Sequence, residues 1–205
     1  KSISCIKKNW RAREEKSDMS TLLLPCLGRT VVDDIPQYLL RHPNGQMLIE
    51  RSIDGIFAKL YDRILIILLK SDIEEFDAKN KIIQEMGERY PVEFVVLENM
   101  TSGPAETVYR ALKEAKVTGQ IVVKDSDTYI KMSEQMTGNF VVGLDLNEWE
   151  KDIHNLREKS FLVLNEQKNI LDIIEKQIKS DVICLGLYGF SRSEKFIHAY
   201  EKLSD

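Results

Sequence analysis

Two carboxylates one residue apart, Asp125 and Asp127, stand directly after the apolar, β-branched run Gln120-Ile-Val-Val-Lys124. Such a run is what a strand buried on both faces requires, and in open α/β sheets ligands bind outside the carboxyl ends of these strands. Hard oxygen donors in that place suit Mg²⁺, which takes one or two protein carboxylates and completes its shell with substrate phosphates and water. A plainer reading exists beside this one. Aspartate is common in turns after strands, where its side chain accepts hydrogen bonds from nearby backbone N–H groups. The pair therefore needs a scaffold and further site residues before it carries a function.

With 205 residues, 43% hydrophobic and 30% charged, the chain has the make-up of a folded domain with a sizeable core. The expected organisation is a flexible or surface arm over residues 1–18, basic and polar and lacking the apolar centre of a signal peptide, followed by one domain over 19–205. Met19 is an alternative start. A net charge of −4 without a basic, aromatic-rich face argues against nucleic acid as partner. The longest apolar stretch, Ile64 to Leu69, is too short to cross a bilayer, so no membrane partner is expected. Cys5, Cys26 and Cys184 are too widely separated to suggest a disulfide framework or a zinc site, which makes a reduced, cytoplasmic location the default. His42, His154 and His198 likewise lack metal-ligand spacing.

The elements that must position the acids alternate. Strands are expected at Thr21–Leu24, Asp62–Leu69, Val92–Leu97 and Gln120–Lys124, separated by helices near Gln46–Leu60, Ile73–Arg89 and Pro104–Lys116. In the first helix Ile49, Ile53, Ile56, Phe57 and Leu60 share one face; in the second Phe76, Ile82 and Met86 or Ile83 do. Gly103 is placed to cap the third, with Pro104 as its first residue and Glu106 complementing the positive end of its dipole. Strands alternating with helices call for a parallel sheet with right-handed crossovers. After Met132 the rhythm changes to consecutive strands near Asn139–Leu146, Lys159–Leu164, Asn169–Ile174 and Val182–Tyr188, and a helix at Ser193–Leu203 follows. The expected fold is thus α/β: a Rossmann-like, mostly parallel sheet flanked by helices, with a mixed or antiparallel C-terminal subregion. The polar stretch Lys131–Gly138 reads as an insertion loop near the acids.

Several segments, taken in order, resemble the sugar-nucleotidyltransferase family. They are Leu22-Leu-Leu-Pro-Cys-Leu-Gly28, Pro36-Gln-Tyr-Leu-Leu40, His42-Pro-Asn-Gly-Gln-Met-Leu-Ile-Glu-Arg51, Thr101-Ser-Gly-Pro-Ala-Glu-Thr107, Lys124-Asp-Ser-Asp-Thr-Tyr129, Asn139-Phe-Val-Val-Gly143, Ile173-Ile-Glu-Lys176 and Gly186-Leu-Tyr-Gly-Phe190. The likeness is strongest to the short capsule and surface-polysaccharide members. It implies a nucleotide-diphospho-sugar transferase-like fold and an enzyme that joins a nucleoside triphosphate to a phosphorylated small molecule with release of pyrophosphate. Oligomers are common in the family, so a homo-oligomer is an expectation.

The resemblance also implies roles. Leu27, Gly28 and Arg29 occupy the turn that wraps the triphosphate with backbone N–H groups. Ser102, Gly103 and Ala105 lie in the segment that carries the nucleotide base. Asp127 matches the aspartate that holds Mg²⁺, with Asp125 as second ligand, and Gly143, Glu175 and Lys176 match residues of the acceptor subsite. Arg29, Asp127 and Lys176 would stabilise the reacting phosphates. The first loop departs from the pattern. It is short, puts Gln37 where a triphosphate-binding lysine is expected, and carries Asp33 and Asp34. A further metal-binding aspartate follows later in many members; here the second ligand is Asp125, or the metal site is incomplete. Besides the nucleotidyltransferase, the residues admit a glycosyltransferase using Asp125-Ser-Asp127 with a nucleotide-sugar donor, and a nucleotide-binding protein that has lost catalysis.

Overall fold

The computed structural model describes residues 5–7, 19–28, 31–32, 35–149, 153 and 155–204. Its centre is a nine-stranded mixed sheet built from β1 (Cys5–Lys7), β2 (Ser20–Pro25), β5 (Arg63–Leu69), β6 (Val92–Leu97), β7 (Gln120–Lys124), β8 (Phe140–Asp145), β9 (Ser160–Leu164), β10 (Ile170–Glu175) and β11 (Val182–Phe190). A separate small pair joins β3 (Val31–Val32) to β4 (Ile35–Pro36). The helices are α1 (Leu48–Ile53), α2 (Lys70–Phe76), α3 (Ala78–Met86), α4 (Pro104–Glu114) and α5 (Ser193–Ser204). Along the sheet the order is β1-β8-β11-β7-β2-β5-β6, with β9 joined to β11 and β10 to β9.

The four early strands β2, β5, β6 and β7 are mutually parallel, as the alternation of strands and helices requires. Their side chains divide the core by strand periodicity. Leu22, Leu24, Ile64, Ile66 and Val122 face one layer with Ile49, Ile53 and Ile82. Leu23, Leu65, Ile67, Ile121 and Val123 face the other, against Val108, Ala111 and Leu112 of α4. The late strands are antiparallel, and β11 inserts between β8 and β7. Of the arm expected at residues 1–18, Cys5–Lys7 is described and pairs with β8 at the sheet edge.

Two helices differ from expectation. The segment 46–60 is helical only over Leu48–Ile53 and then in a 3₁₀ turn at Ala58–Leu60. Gly55 lies so close under Ile130 that an added Cβ would sit 2.0 Å from the Ile130 carbonyl oxygen, and Gly55 O accepts the Met132 N–H at 2.9 Å. That tertiary contact pulls the chain out of the helix, and Phe57 and Leu60 end exposed rather than on a buried face. The segment 73–89 is two helices broken at Asp77, whose φ of 54° is left-handed. Ile82 and Met86 are buried and Ile83 is exposed. Residues 131–138 do not stay near the acids: Met136 is buried in the core, and Gly138 N–H donates to Gln120 Oε1 at 3.1 Å, at the opposite end of β7 from Asp125.

Candidate functional site

β7 is the seam of the sheet, parallel to β2 on one side and antiparallel to β11 on the other. Asp125 and Asp127 emerge from its carboxyl end, as the apolar run before them requires. They differ in environment. The Asp125 N–H donates to Gly186 O at 2.8 Å. At that point β11 breaks register between Cys184 and Tyr188, and Gly186 has a φ of 69°. A Cβ on Gly186 would lie 1.9 Å from Asp125 Oδ2, so the carboxylate fills the space that any side chain there would need. Burial pushes the Asp125 carboxyl up to about 6, opposed by the Lys124 ammonium and reinforced by Asp127. Asp127, by contrast, is exposed.

Beneath the pair lies a residue that the sequence reading passed over. Lys124 is completely buried, and its Nζ donates to the backbone oxygens of Asp125 and Thr128, each at 2.5 Å. Burial pushes the ammonium down to about 8, while Asp125 and Asp127 pull it back up. Its sequence signal was a lysine closing a strand whose preceding residues are all apolar after Gln120.

The acids open onto a cavity of about 410 Å³. Its walls are the turn Pro25–Gly28, Gln37 and Tyr38, the segment Met100–Pro104 with Thr107, and Asp125–Asp127. Gly28 and Gly103 need no special conformation or room inside the protein: neither has a left-handed φ, and an added Cβ would meet no atom within 4 Å. Their bare backbone therefore faces open space in the cavity wall. The N-terminus of α4 opens there too, presenting the positive end of its dipole.

The second wall is locked by its own side chains. Glu106 Oε2 accepts both the backbone N–H and the hydroxyl of Ser102, each at 2.6 Å, and Oε1 pairs with Arg110 at 2.5 Å. The Ser102 donors, then Arg110, hold the Glu106 carboxyl down at about 2. The Thr101 and Thr107 hydroxyls meet at 2.6 Å, and the Thr107 hydroxyl donates to Gly103 O at 3.2 Å. On the first wall the buried Tyr38 hydroxyl donates to Asp72 at 2.8 Å. The buried Cys26 thiol is pushed well above its ordinary range by desolvation, which makes it inert.

The structure thus brings together Leu27, Gly28, Gln37, Ser102, Gly103, Asp125 and Asp127. Ala105 is exposed on α4 and does not line the cavity. Gly143 lies inside the sheet, where a Cβ would be 2.8 Å from both Leu162 Cδ1 and Val182 Cγ1. Glu175 ends β10 and Lys176 follows it in a turn, both exposed and paired to each other at 3.3 Å, outside the cavity lining. The Glu175 charge nevertheless bears on Tyr188, which also feels Asp125 and whose hydroxyl accepts from the Cys184 thiol at 3.1 Å. Arg29, Asp33 and Asp34 lie outside the described residues.

Among the described residues no group of three or more histidine, cysteine, aspartate or glutamate side chains gathers to hold a metal. Two carboxylates at a strand end, beside a cavity with bare backbone, suit Mg²⁺ that arrives with phosphates and water as its other ligands rather than a cation held by protein alone. Asp127 is the carboxylate open to it.

Solved structures share this architecture. A nucleoside-diphosphate-sugar pyrophosphorylase from Vibrio cholerae RC9 matches with a TM-score of 0.59 at 23% identity, over 91% of this chain and 78% of its own. A Bacillus anthracis protein described as a glucose-1-phosphate thymidylyltransferase matches with a TM-score of 0.66 at 14% identity, over 90% and 75%. The inositol-1-phosphate CTP transferase of T. maritima matches with 0.63 at 16%, over 85% and 71%. The chain has the fold of the sugar nucleotidyltransferases. The resemblance read from the ordered motifs is borne out at that level. No family model matches the sequence, and no curated protein does. Among the described residues no helix is long and apolar enough to cross a membrane.

Proposed function

We propose that this chain is a nucleotidyltransferase that joins a nucleoside triphosphate to a sugar phosphate or another small phosphorylated acceptor and releases pyrophosphate. The observation that carries the reading is one cavity lined by the exposed Asp127 and by the bare backbone of Gly28 and Gly103. The triphosphate lies against Leu27 and Gly28, with Gln37 as a hydrogen-bonding partner, and the base lies against Ser102 and Gly103. Asp127, backed by Asp125, holds Mg²⁺, which when bound offsets the charge of the phosphates. An oxygen of the acceptor phosphate forms a bond to the α-phosphorus, in line with the bond to the bridging oxygen that breaks, and pyrophosphate leaves. The protein's task is to position the two partners and neutralise charge. Arg29 acts on the triphosphate in this reading, and Glu175 and Lys176 act on the acceptor. Gly143 acts at one remove by letting the Leu162 and Val182 side chains close beside it. The motif pattern points to capsule or surface-polysaccharide precursors made in the cytoplasm.

One observation favours the glycosyltransferase as second reading. Among the described residues lining the cavity there is no lysine or arginine, and a diphosphate donor carries less charge to neutralise than a triphosphate. Thermal stabilisation by common nucleoside triphosphates and nucleotide sugars, with and without Mg²⁺, separates the two. Ligand at about a hundred times its dissociation constant adds roughly 2.7 kcal/mol. A Mg²⁺-dependent shift with a triphosphate is the expected result. A shift with nucleotide sugars alone would favour the glycosyltransferase, and no shift with any nucleotide would sink both.

A further inference from the structure

We propose that Lys124 is a positioning residue for the metal-binding turn: its buried ammonium ties the backbone oxygens of Asp125 and Thr128 together and thereby fixes Asp127 toward the cavity. The inference rests on the reading of Asp127 as a Mg²⁺ ligand.

Its grounds are geometric. Lys124 closes β7 on the same face as Val122, which packs in the core with Leu22, Leu24 and Leu187. An apolar side chain is what packing alone would place there, because a buried cation loses its hydration and returns it only through well-placed partners. The lysine is nonetheless among the largest fully buried side chains of the described residues, and it spends itself on two carbonyl oxygens that bracket Ser126 and Asp127. Those oxygens belong to the first and last residues of the turn, so the ammonium acts as a clamp across its base. The turn is held on its other side by the Asp125 N–H bond to Gly186 O and by the seating of the Asp125 carboxylate against Gly186. Asp127 itself has a single protein contact from the Thr128 hydroxyl at 3.2 Å among the described hydrogen bonds, so its direction follows from the backbone that carries it.

Loss of the ammonium has two effects of opposite sign on a divalent cation at Asp127. Removing a nearby positive charge would tighten cation binding by electrostatics alone. Releasing the turn would weaken it, because the carboxylate no longer points where the cation sits. A positioning role predicts the second outcome.

The test is a titration of the full chain with Mn²⁺ in the presence of a saturating nucleoside triphosphate (ATP, CTP, GTP, UTP and dTTP in separate runs), followed by water-proton relaxation, for wild type, Lys124→Met, Lys124→Gln, Lys124→Arg and Asp127→Asn. Near-UV circular dichroism and the urea midpoint establish which variants keep the fold. Asp127→Asn should lose Mn²⁺ binding. The Met and Gln variants should bind at least tenfold more weakly than wild type, and Arg, which keeps the charge and the donors, should restore affinity to within about threefold. Gln keeps a polar end but lacks the charge and is one atom shorter, so it cannot span both carbonyl oxygens, and it decides the matter if Met does not fold. Folded Lys124 variants with unchanged or tighter Mn²⁺ affinity would overturn the proposal while leaving the metal site standing. Unchanged affinity in Asp127→Asn would instead overturn the metal reading itself.

Discussion

Gly103 lines the cavity without being needed by the fold, since its φ of 173° is open to any residue and an added Cβ would meet no atom. Its absence of a side chain therefore serves what enters the cavity. Gly103→Ala should change folding stability by no more than about 1 kcal/mol, because the restriction of the unfolded chain is offset by the poorer N-cap that alanine makes for α4. Nucleotide binding should weaken at least tenfold in the same protein. A urea midpoint beside a nucleotide titration checks both, and unaltered binding would contradict the assignment of this wall. Gly186 is the opposite case, because its missing side chain is occupied by Asp125. The sequence could show two glycines in turns, but the direction in which each presents its bare face depends on chain segments about 60 residues away or more. The same holds for the acid pair. Spacing placed both carboxylates at a strand end, whereas the difference between a seated Asp125 and an exposed Asp127 comes from β11, which follows much later in the chain.

At the scale of elements, the start of α4 was readable in full: Gly103 precedes the helix, Pro104 opens it, and Glu106 stands in its first turn. The structure adds that Glu106 reaches back to the Ser102 N–H and hydroxyl and so sets the cavity wall. Its carboxyl titrates near 2 in the folded protein against an ordinary value of 4.5. A depressed folded-state value means that this contribution to stability is fully present above about 4.5 and is lost as pH falls toward 2. Unfolding free energy measured between pH 5 and pH 2 should therefore fall more steeply for wild type than for Glu106→Gln; parallel curves would show that the lock contributes nothing. The helices near 46–60 and 73–89 were readable in type but not in extent. Hydrophobic spacing registers a buried face, yet it is blind to the Ile130 carbonyl that displaces Gly55 and to the left-handed Asp77 that splits the second helix. The late strands β8 to β11 were legible because their apolar residues are confined to short runs between polar turns.

For the whole molecule, local pattern could announce a parallel half and an antiparallel half but not the place where they meet. That place is β7, flanked by β2 and β11, and the site stands at its carboxyl end. The place of β7 is decided by pairing with residues more than 60 positions away on both sides, Ser20 with Gln120 and Leu187 with Lys124, which leaves no periodic trace. The course of residues 131–138 away from the acids and back to Gln120 was hidden for the same reason, as was the burial of Lys124, whose residue type alone suggests a solvated surface. What the sequence did carry was the ordered set of turns, and the fold places most of the matched nucleotide and metal residues around one cavity. The central claim is nucleotidyl transfer at that cavity. Its most direct test is pyrophosphate formation, followed by ³¹P NMR, with pairs of nucleoside triphosphates and sugar phosphates in Mg²⁺, for wild type and Asp127→Asn. The account predicts pyrophosphate only when triphosphate, acceptor and Mg²⁺ are all present, and a rate at least about 100-fold lower in the variant, the scale of losing a group that stabilises charge in the transition state. Undiminished turnover in Asp127→Asn, or no pyrophosphate from any pair, would contradict it.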